Sequence, residues 1–399
     1  MGIYEPAEDS FLLQKHVREL TLGRVLDMGT GSGIQALTAI KNPNVHMVVA
    51  VDQDEEAVHV LQQKINQEKI RKLTVAQSDL FSQVSGKYNV ILCNPPYLPQ
   101  DRGIEDKAIY GGKKGWELAE RFFREVSSYL YPDGKILFLF SSLTNQKKIE
   151  EIITKNMLMF EEIDHQKLAF ETLYVYLIQK HPVRRELEKK AVEQISYFTK
   201  GKRGMVFTGV IDHSKFVKTH LVKHQNIQKV AIKVLQPDTE AQHALEKESY
   251  WLKQVNQRGI GPRLLFTGEN FVAMEFIDGP FLTDWMAGVQ AKQILAALGE
   301  LLHQCYVLDQ LGITKEEMHH PHKHVLMIHN LPVLVDFERC HESKTPQNVT
   351  QCVEFITRMR NELAAKGLSV KVDFLRALAK AYKKEPTLDL LTNMIQTLK

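Results

Sequence analysis

The sequence has few cysteines and no long apolar run. Its cysteines are widely separated and form no C-x-x-C pair, which excludes a disulfide-rich scaffold and argues against a thiolate zinc site: Cys93, Cys305, Cys340 and Cys352. No window of about 18 uncharged apolar residues occurs, so no membrane-spanning helix is expected. The first residues, MGIYEPAED, are acidic where a signal peptide would be basic and then apolar. We therefore predict a cytoplasmic protein that does not cross a membrane.

A dense basic stretch is also missing. The chain has 399 residues, of which 44% are hydrophobic and 25% are charged, and this composition suits roughly two or three globular domains. Residues 1–180 include 21 basic and 24 acidic residues, whereas residues 181–399 include 30 and 24, so the two halves carry −3 and +6. Neither half has the basic stripe that favours binding to nucleic-acid phosphates. A nucleic-acid substrate is therefore not expected.

The first half alternates short apolar runs with helical patterns, as a parallel α/β sheet does. Strands are predicted at 24–29, 46–52, 73–79, 88–93 and 134–141, and two more, at 158–165 and 171–179, would complete the sheet. Helices are predicted at 8–20, 33–41, 54–68, 117–130 and 145–156. After His181-Pro182, the charged segment 184–190 is expected to be a helical connection between two domains, 1–180 and 181–399.

The second half has a different pattern, which is β-rich at first and helical afterwards. A glycine-containing β pattern at 198–211 precedes a predicted strand at 229–235, a helix at 239–255, and paired strands near 263–267 and 271–277. From about residue 289 the pattern is mostly helical, with one short β pair near 325–336. This order predicts a two-lobed α+β domain that follows the α/β domain.

Glycines follow the first predicted strand and open a helix, in the segment Asp27-Met28-Gly29-Thr30-Gly31-Ser32-Gly33. Such a loop is also found in ordinary βα turns, but glycine additionally lets a ligand approach the backbone closely. Asp52 ends the next strand, about twenty residues later, where a carboxylate can accept hydrogen bonds from ribose hydroxyls. Asp79 ends the third strand, either as a helix cap or as a contact for an adenine amino group. Together these positions predict a site for a nucleoside-containing cofactor.

The fourth predicted strand ends in Asn94-Pro95-Pro96-Tyr97. Two successive prolines remove two backbone donors and stiffen the turn, which leaves the Asn94 side-chain oxygen and the Pro95 carbonyl as acceptors. These acceptors suit a planar NH2 group, whose nitrogen gains lone-pair density when both hydrogens are bound, and Tyr97 can lie against that flat group. A plain proline-rich turn is the alternative. We therefore interpret Asn94, Pro95, Pro96 and Tyr97 as the catalytic segment, acting by positioning.

Residues 1–180 resemble the HemK class of S-adenosylmethionine-dependent methyltransferases, which have a Rossmann-like class I fold and methylate a glutamine side-chain amide in peptide-chain release factors. The opening segment YEPAEDSFLL closely matches the eukaryotic and archaeal branch of that class. The resemblance implies S-adenosylmethionine as cofactor, with Asp52 at the ribose, Asp79 at the adenine and the catalytic segment at the target nitrogen. The other implied cofactor-binding residues are Glu8 and, around the methionine part, Asp27, Gly29 and Gly31.

The resemblance also bears on partners and on the acceptor. Members of that branch work with a small zinc-binding activator subunit, which this protein is then expected to need. The segment Gly111-Gly112-Lys113-Lys114-Gly115 lies where the family has a flexible substrate loop, and a simple surface loop is the alternative. The same N-P-P-Y chemistry serves adenine and cytosine amino groups in nucleic acids. The −3 charge of this half favours a release-factor glutamine over a base.

A second set of motifs lies in residues 181–399. Val230-Ala231-Ile232-Lys233 matches the kinase strand whose lysine reaches the nucleotide phosphates, and Glu248, on the next predicted helix, can pair with Lys233. Upstream, the segment from Gly201 to Val206, which includes Gly204, suits a shortened phosphate-covering loop. Downstream, Val335-Asp336-Phe337-Glu338 occupies the place of a D-F-G motif, with Asp336 as a magnesium ligand. These residues predict a site for ATP and Mg²⁺.

This half resembles small atypical kinases of the RIO and Bud32 kind, and more narrowly the archaeal proteins described as predicted Ser/Thr kinases. It departs from them in the catalytic loop: counting back from Asp336 puts His319 where the catalytic Asp is expected and His324 where the metal-binding Asn is expected. The prediction is therefore ATP binding with slow or absent phosphorylation, as in a pseudokinase scaffold. An active atypical Ser/Thr kinase is one alternative. Metal binding by the histidines of residues 319–324 is a second alternative hypothesis.

Overall fold

The computed structural model describes residues 5–100, 110–201, 204–212, 227–235 and 242–398. Tyr4 of the opening motif, Lys202 and Arg203 of the phosphate-covering loop, and the predicted helical residues 239–241 lie outside these ranges. The chain divides into two compact units, Met1–Lys190 and Ala191–Lys399, called here the first and the second unit. Among the described residues, no helix is both long enough and apolar enough to span a membrane. The cytoplasmic location stays a prediction.

The first unit is a seven-stranded sheet with helices between its strands. Its strands are β1 Gly23–Met28, β2 Val45–Asp52, β3 Leu73–Gln77, β4 Tyr88–Cys93, β5 Leu130–Ser141, β6 Leu158–Lys167 and β7 Thr172–Lys180. Its helices are α1 Glu8–Leu20, α2 Ile34–Ala39, α3 Glu55–Gln67, α4 Glu117–Val126, α5 Gln146–Lys155 and α6 Pro182–Lys189. The strand order is β3-β2-β1-β4-β5-β7-β6. Since the order reverses between β1 and β4, a ligand crevice is expected beyond the carboxyl ends of these two strands.

The predicted strands and helices of this unit are confirmed, with two corrections. Strands β1 to β5 are parallel, but β7 is antiparallel to both β5 and β6, so the sheet is mixed. The reason is the short connection between β6 and β7, which can join only antiparallel neighbours. The second correction is that the helix predicted to reach residue 130 ends at Val126, and a 3-10 turn leads directly into β5 at Leu130.

The core of the first unit follows from the alternation of side chains along its central strands. In β4, Val90 and Leu92 pack into one hydrophobic cluster, while Ile91 and Cys93 pack into another. Successive side chains of a strand point to opposite faces, so β4 is buried on both sides, as a central parallel strand is. This burial holds the ends of the strands, where the site residues lie, in a fixed position.

The helical connection predicted at 184–190 is confirmed as a helix and packs within the first unit. The ammonium of Lys180, whose side chain is buried, donates to Glu188 at 2.7 Å. Arg184 donates to the same carboxylate at 3.0 Å and to the carbonyl of Asn156 at 2.9 Å. Because buried cations need such partners, these contacts anchor α6 to the sheet.

The second unit contains a five-stranded antiparallel sheet and a helical part. The sheet is formed by β8 Val192–Lys200, β9 Gly204–Asp212, β10 Ile227–Leu235, β11 Leu264–Gly268 and β12 Phe271–Glu275, in the order β11-β12-β10-β9-β8, with α7 Gln242–Asn256 between β10 and β11. The helices that follow are α8 Leu282–Ala287, α9 Ala291–Gln310, α10 Asn348–Arg358, α11 Arg360–Ala365, α12 Val372–Lys384 and α13 Leu388–Thr397. Between α9 and α10 lie the short strands β13 Ile313–Thr314, β14 Val325–Ile328, β15 Leu331–Leu334 and β16 His341–Glu342. The predicted β-rich start and helical remainder are confirmed, although the first strand begins at Val192 instead of 198.

Candidate functional site

The register of the central strands brings the two motifs of the first unit together. Met28 at the end of β1 is paired with Cys93 at the end of β4. Gly29 and Asn94 therefore leave the same edge of the sheet from neighbouring strands, which lie about 4.8 Å apart. The glycine turn and the N-P-P-Y segment thus border one crevice.

The glycine turn has the backbone conformation and the space that a ligand needs. Gly29 and Gly31 have φ values of +73° and +49°, and a Cβ added at either would meet no atom of a described residue within 4 Å. Gly33, with φ +79°, differs because its added Cβ would lie 2.6 Å from Cδ1 of Leu61. The first two glycines therefore leave the backbone open to a ligand, while the third permits close packing against α3.

Asp27 lies beneath this turn and holds it together. Its Oδ2 atom accepts hydrogen bonds from the hydroxyl of Thr30 at 2.7 Å and from the backbone N–H of Ala36 at 3.0 Å. Burial, partly opposed by these two donors, raises the pKa of Asp27 to about 6. Asp27 thus ties the end of β1 to α2, and its predicted contact with the methionine part of the cofactor stays a prediction.

Asp52 and Asp79, the other predicted cofactor carboxylates, differ in how firmly they are held. Asp52 accepts from the N–H of Gly31 at 2.8 Å and from the N–H of Asp54 at 2.9 Å, so both of its oxygens are oriented at the edge of the glycine turn. Asp79 lies two residues beyond β3 and pairs with Arg121 at 2.8 Å, with both side chains about half exposed. Exposed ion pairs contribute at most about 1 kcal/mol, so this contact does not lock the Asp79 side chain.

Asn94 has a buried oxygen that accepts no hydrogen bond from any described residue. Its amide nitrogen donates to Oδ2 of Asp9 at 2.8 Å, and the other oxygen of Asp9 accepts from the N–H of Ser10. An amide that donates to a carboxylate must turn its oxygen the other way. Asp9 therefore orients Asn94 as an acceptor, and an unsatisfied buried acceptor is the feature that a substrate N–H would complete.

Sequence reasoning assigned no role to Asp9 and named its neighbour Glu8. In the structure Glu8 is exposed at the start of α1, whereas Asp9 is buried. The available signal was the helical period, because Asp9 shares the buried face of α1 with the apolar residues Leu12, Leu13 and Val17. A carboxylate at a core position of a helix needs a polar partner, and here that partner is Asn94.

The segment around Tyr97 is covered by the glycine-rich turn at residues 111–115. A Cβ added at Gly111 would lie 2.5 Å from the carbonyl oxygen of Pro96, and one added at Gly115 would lie 2.6 Å from that of Tyr97. The hydroxyl of Thr144 also donates to the Tyr97 carbonyl, at 2.9 Å. Only glycine allows the turn to pack this closely, so it forms one wall of the N-P-P-Y segment.

The kinase-like motifs also come together, within the second unit. The ammonium of Lys233 in β10 lies 2.6 Å from Oε1 of Glu248 in α7 and 3.3 Å from Oδ1 of Asp336. Burial lowers the pKa of Lys233, but the two carboxylates outweigh that effect and raise it above its usual value. Burial alone would raise the pKa of Asp336, yet Lys233 and other nearby cations lower it. Lys233 and Asp336 therefore both carry their charge.

Asp336 adopts a backbone conformation that is unusual for its residue type. Its φ is +63°, and strained residues of this kind cluster at functional sites. His324, predicted in the place of a metal-binding Asn, lies beside it, with Nδ1 3.8 Å from Oδ2 of Asp336. Gly201 follows β8 and Gly204 begins β9, and the N–H of Gly201 donates to the carbonyl of Gly204 at 2.9 Å.

The other histidines of the 319–324 segment form a surface cluster. The rings of His319 and His320 lie 4.7 Å apart, a nitrogen of Arg358 approaches His320 at 3.1 Å, and the ring of His322 packs edge-on against Phe355 at 5.4 Å. No three His, Cys, Asp or Glu side chains in the described part of the chain are arranged to hold a metal ion. The reading of these histidines as a metal site therefore finds no support among the described residues.

Comparison with known proteins concerns mainly the first unit. The family described as Methyltransferase small domain matches residues 7–168. A Methanocaldococcus jannaschii protein named as a putative protein N5-glutamine methyltransferase is 35% identical over 178 residues, which make up 43% of this chain and 89% of that protein. A release factor glutamine methyltransferase of Streptococcus pneumoniae is 30% identical over 122 residues, or 28% of this chain and 43% of that protein.

Some solved structures are similar over nearly the whole chain. One of them is a co-crystal structure of WbdD with the kinase inhibitor LY294002, with a TM-score of 0.46 and 13% sequence identity, and the match covers 97% of this chain and 87% of that one. A likeness at this level assigns no function to the second unit.

Proposed function

This chain belongs to the family of S-adenosylmethionine-dependent protein glutamine N-methyltransferases, and we propose that its substrate is a glutamine side-chain amide in a peptide-chain release factor. The observation that carries the planar-amide part of this proposal is the buried oxygen of Asn94, which is oriented by Asp9 and accepts no hydrogen bond from the described residues. A primary amide is planar and has two N–H donors, of which one would satisfy this oxygen. The name of the Streptococcus pneumoniae relative supports a release factor as the protein that carries the glutamine.

The residues of the glycine turn suit the cofactor that the family uses. Gly29 and Gly31 have open space on their ligand side, so the backbone would border the methionine part of S-adenosylmethionine. The oriented carboxylate of Asp52 would accept hydrogen bonds from the ribose hydroxyls, and Asp79 would meet the adenine amino group. When bound, the cofactor supplies a methyl group on a sulfonium sulfur, which is an electrophile.

The catalytic work of the chain would then be positioning. Asn94 Oδ1 would accept one N–H of the substrate amide and the Pro95 carbonyl the other, which directs the nitrogen lone pair toward the cofactor side of the crevice. Pro95 and Pro96 have no N–H of their own to compete for these acceptors. Tyr97 would lie against the flat amide, and the turn at residues 111–115 would form the wall behind it. The substrate nitrogen would lose its proton during or after methyl transfer, so no strong base is required. The acceleration of methyl transfer would then come from the orientation of the two reacting groups.

A nucleic-acid amino group is the alternative acceptor. Its exocyclic nitrogen has the same planar geometry, so the Asn94 oxygen does not distinguish it from a glutamine amide. The net charge of −3 over residues 1–180 favours a protein substrate, because binding of a polyanion gains affinity from neutralised phosphates. We also propose that the enzyme acts with a small zinc-binding activator subunit, as the resemblance to the eukaryotic and archaeal branch implies.

Methyl transfer from labelled cofactor tests the acceptor directly. The full chain, with and without the candidate activator, is incubated with release factor, with its Gln-to-Ala variant, and with RNA and DNA. The proposal predicts label in the release factor alone, dependent on the glutamine. Stronger labelling of a nucleic acid, or equal labelling of the Gln-to-Ala variant, would contradict it.

For the second unit, we propose a kinase-like module that binds ATP with Mg²⁺. The contact of Lys233 with both Glu248 and Asp336 supports this, because it joins a partly buried cation for phosphate oxygens to a carboxylate suited to Mg²⁺. ATP with Mg²⁺ should raise the melting temperature of the full chain, and Lys233→Ala should abolish the shift. A shift that persists unchanged in Lys233→Ala would contradict the assignment.

A further inference from the structure

A buried lysine links the segment after β13 to Asp336. The side chain of Lys315 is fully buried, and its ammonium donates to the backbone carbonyl of Asp336 and, at 3.1 Å, to Oε2 of Glu317. It also lies 5.0 Å from the centre of the Phe337 ring. A buried ammonium requires compensating acceptors, so these contacts fix Glu317 relative to Asp336.

The backbone of this segment is anchored by a buried polar network. The N–H of Lys315 donates to the side-chain oxygen of Asn348 at 2.8 Å. The amide nitrogen of Asn348 donates to Asp309 at 2.7 Å and to the carbonyl of Ile313 at 2.6 Å, and the hydroxyl of Tyr382 also donates to Asp309, at 3.2 Å. Three helices, α9, α10 and α12, therefore hold the segment that carries Lys315 and Glu317. Fully satisfied networks of this kind rigidify what they hold.

Glu317, and not His319, is the residue of this segment that is linked to Asp336, through the ammonium of Lys315. The side chain of Glu317 is 11% exposed and shares the Lys315 ammonium with the backbone carbonyl of Asp336, and Arg339 lies 3.9 Å from its other oxygen. His319 is exposed, and its ring contacts the carbonyl of Glu316 at 2.9 Å. The count back from Asp336 assumed a fixed loop length and concluded that no catalytic carboxylate is present. The folded loop, however, keeps the carboxylate of Glu317 two positions before His319 and ties it to the ammonium of Lys315.

We propose that Glu317 accepts the proton of an attacking hydroxyl in a phosphoryl-transfer site that also contains Lys233 and Asp336. This inference rests on the proposed binding of ATP with Mg²⁺ to the second unit. In the step, the hydroxyl oxygen forms a bond to the γ-phosphorus of ATP while the bond from that phosphorus to the β–γ bridging oxygen breaks. The hydroxyl proton passes to the Glu317 carboxylate, ADP leaves, and the product is a phosphate monoester. With water as the acceptor, the product is inorganic phosphate.

Release of phosphate from ATP with Mg²⁺ by the full chain tests this step without knowledge of the natural acceptor. Under single-turnover conditions we expect Glu317→Gln to slow phosphate release by on the order of 100-fold or more, the usual contribution of a positioned general base. Its affinity for a fluorescent ATP analogue with Mg²⁺ should stay within about twofold of wild type. Glu316→Gln is the matched control, because Glu316 is its exposed neighbour, and it should change neither quantity.

Two further variants separate a chemical role from a structural one. Glu317→Asp keeps the charge that Lys315 needs but moves the carboxylate by one methylene, so it should fold normally and react roughly tenfold or more slowly. Formate should restore part of the rate of Glu317→Ala, because a small acid can take the place of the missing carboxylate.

The outcomes distinguish this inference from the proposal on which it rests. A folded Glu317→Gln that releases phosphate at the wild-type rate overturns the role of Glu317. A wild-type chain that binds ATP with Mg²⁺ but releases no phosphate also overturns it, while nucleotide binding stands. Failure of wild type to bind ATP with Mg²⁺ removes the kinase-like module and this inference together.

Discussion

Two buried aspartates of the first unit perform different tasks. Asp27 accepts hydrogen bonds from its own glycine turn and from α2, so it shapes the backbone on the cofactor side. Asp9 accepts from Asn94 and orients the acceptor side. Both carboxylates are buried, so removal of one hydrogen-bond partner should cost more than the net value of a hydrogen bond.

Asn94→Ala should retain cofactor affinity and lose methylation by on the order of 100-fold, because the lost contact is to the acceptor nitrogen. Asp9→Ala should lower the turnover number less, since the amide of Asn94 remains but is free to rotate. Methylation kinetics together with calorimetric cofactor binding would measure both effects. Glu19→Ala, an exposed acidic position on the same helix, is the control. A wild-type rate for Asn94→Ala would contradict the assignment.

Asp27→Asn should flatten the pH dependence of stability. Burial raises the pKa of Asp27 from 3.8 to about 6, so between these values the folded state retains a proton that the unfolded chain has lost. The free energy of unfolding of wild type should therefore fall as the pH rises through this range, by up to about 3 kcal/mol. Asparagine keeps an acceptor oxygen and does not titrate. Urea unfolding without cofactor at several pH values gives the slopes, and equal slopes for both proteins would contradict the expectation.

At the scale of elements, the crevice arises where the strand order reverses. The parallel pairing of β1 with β4 sets the cofactor turn beside the acceptor segment, and the mixed pairing of β7 occurs at the far edge, away from both. Gly33 connects the glycine turn to α2 and packs against Leu61, so the packing at this connection requires glycine.

Gly33→Ala should destabilise the first unit more than Gly29→Ala does. Both residues have positive φ, so alanine is strained by about 1 kcal/mol at either position. Only at Gly33 does the added Cβ also collide with a buried side chain, which typically costs a further 1–3 kcal/mol or so. Urea unfolding followed by circular dichroism would rank the two variants. Equal losses would show that the contact with Leu61 relaxes without cost.

At the scale of the whole molecule, one chain carries two sets of site residues, one in each compact unit. The cofactor positions of the first unit lie at the ends of parallel strands. Of the proposed nucleotide positions of the second unit, Lys233 lies on β10, Glu248 on α7 and Asp336 just after β15. A ligand that binds only the folded state stabilises the protein according to its concentration and affinity, so each site should give its own response.

Asp52→Ala should remove stabilisation by S-adenosylmethionine and leave stabilisation by ATP with Mg²⁺ intact, whereas Lys233→Ala should do the reverse. Loss of a charge-assisted hydrogen bond at Asp52 should weaken cofactor binding by about 1.5–3 kcal/mol. Thermal melting of the full chain with each ligand separately measures both shifts. Loss of both responses in either single variant would contradict separate sites.

Local pattern was sufficient for most of the elements, and it named the candidate site positions, whose roles stay predictions. Strand and helix periods, with glycine and proline as breaks, predicted β1 to β4 and the order of the second unit, because these signals depend on neighbours along the chain. The glycine turn, Asp52 and Asn94 were identified in the same way, since each follows directly from the end of a strand. The families that the motifs resemble supplied the chemistry expected at these positions.

Contacts between distant segments could not be read from these patterns. Asp9 and Asn94 are 85 residues apart, and Lys233 and Asp336 are 103 apart, so their distances depend on how whole elements pack. The loop before Asp336 shows the same limit. A count along the chain selected His319, but two 3-10 turns and the tether through Lys315 leave that histidine exposed and retain Glu317. Residue type and sequence spacing indicate which chemistry a side chain is capable of. Burial and hydrogen-bond partners in the folded protein determine which side chain is placed to carry out that chemistry.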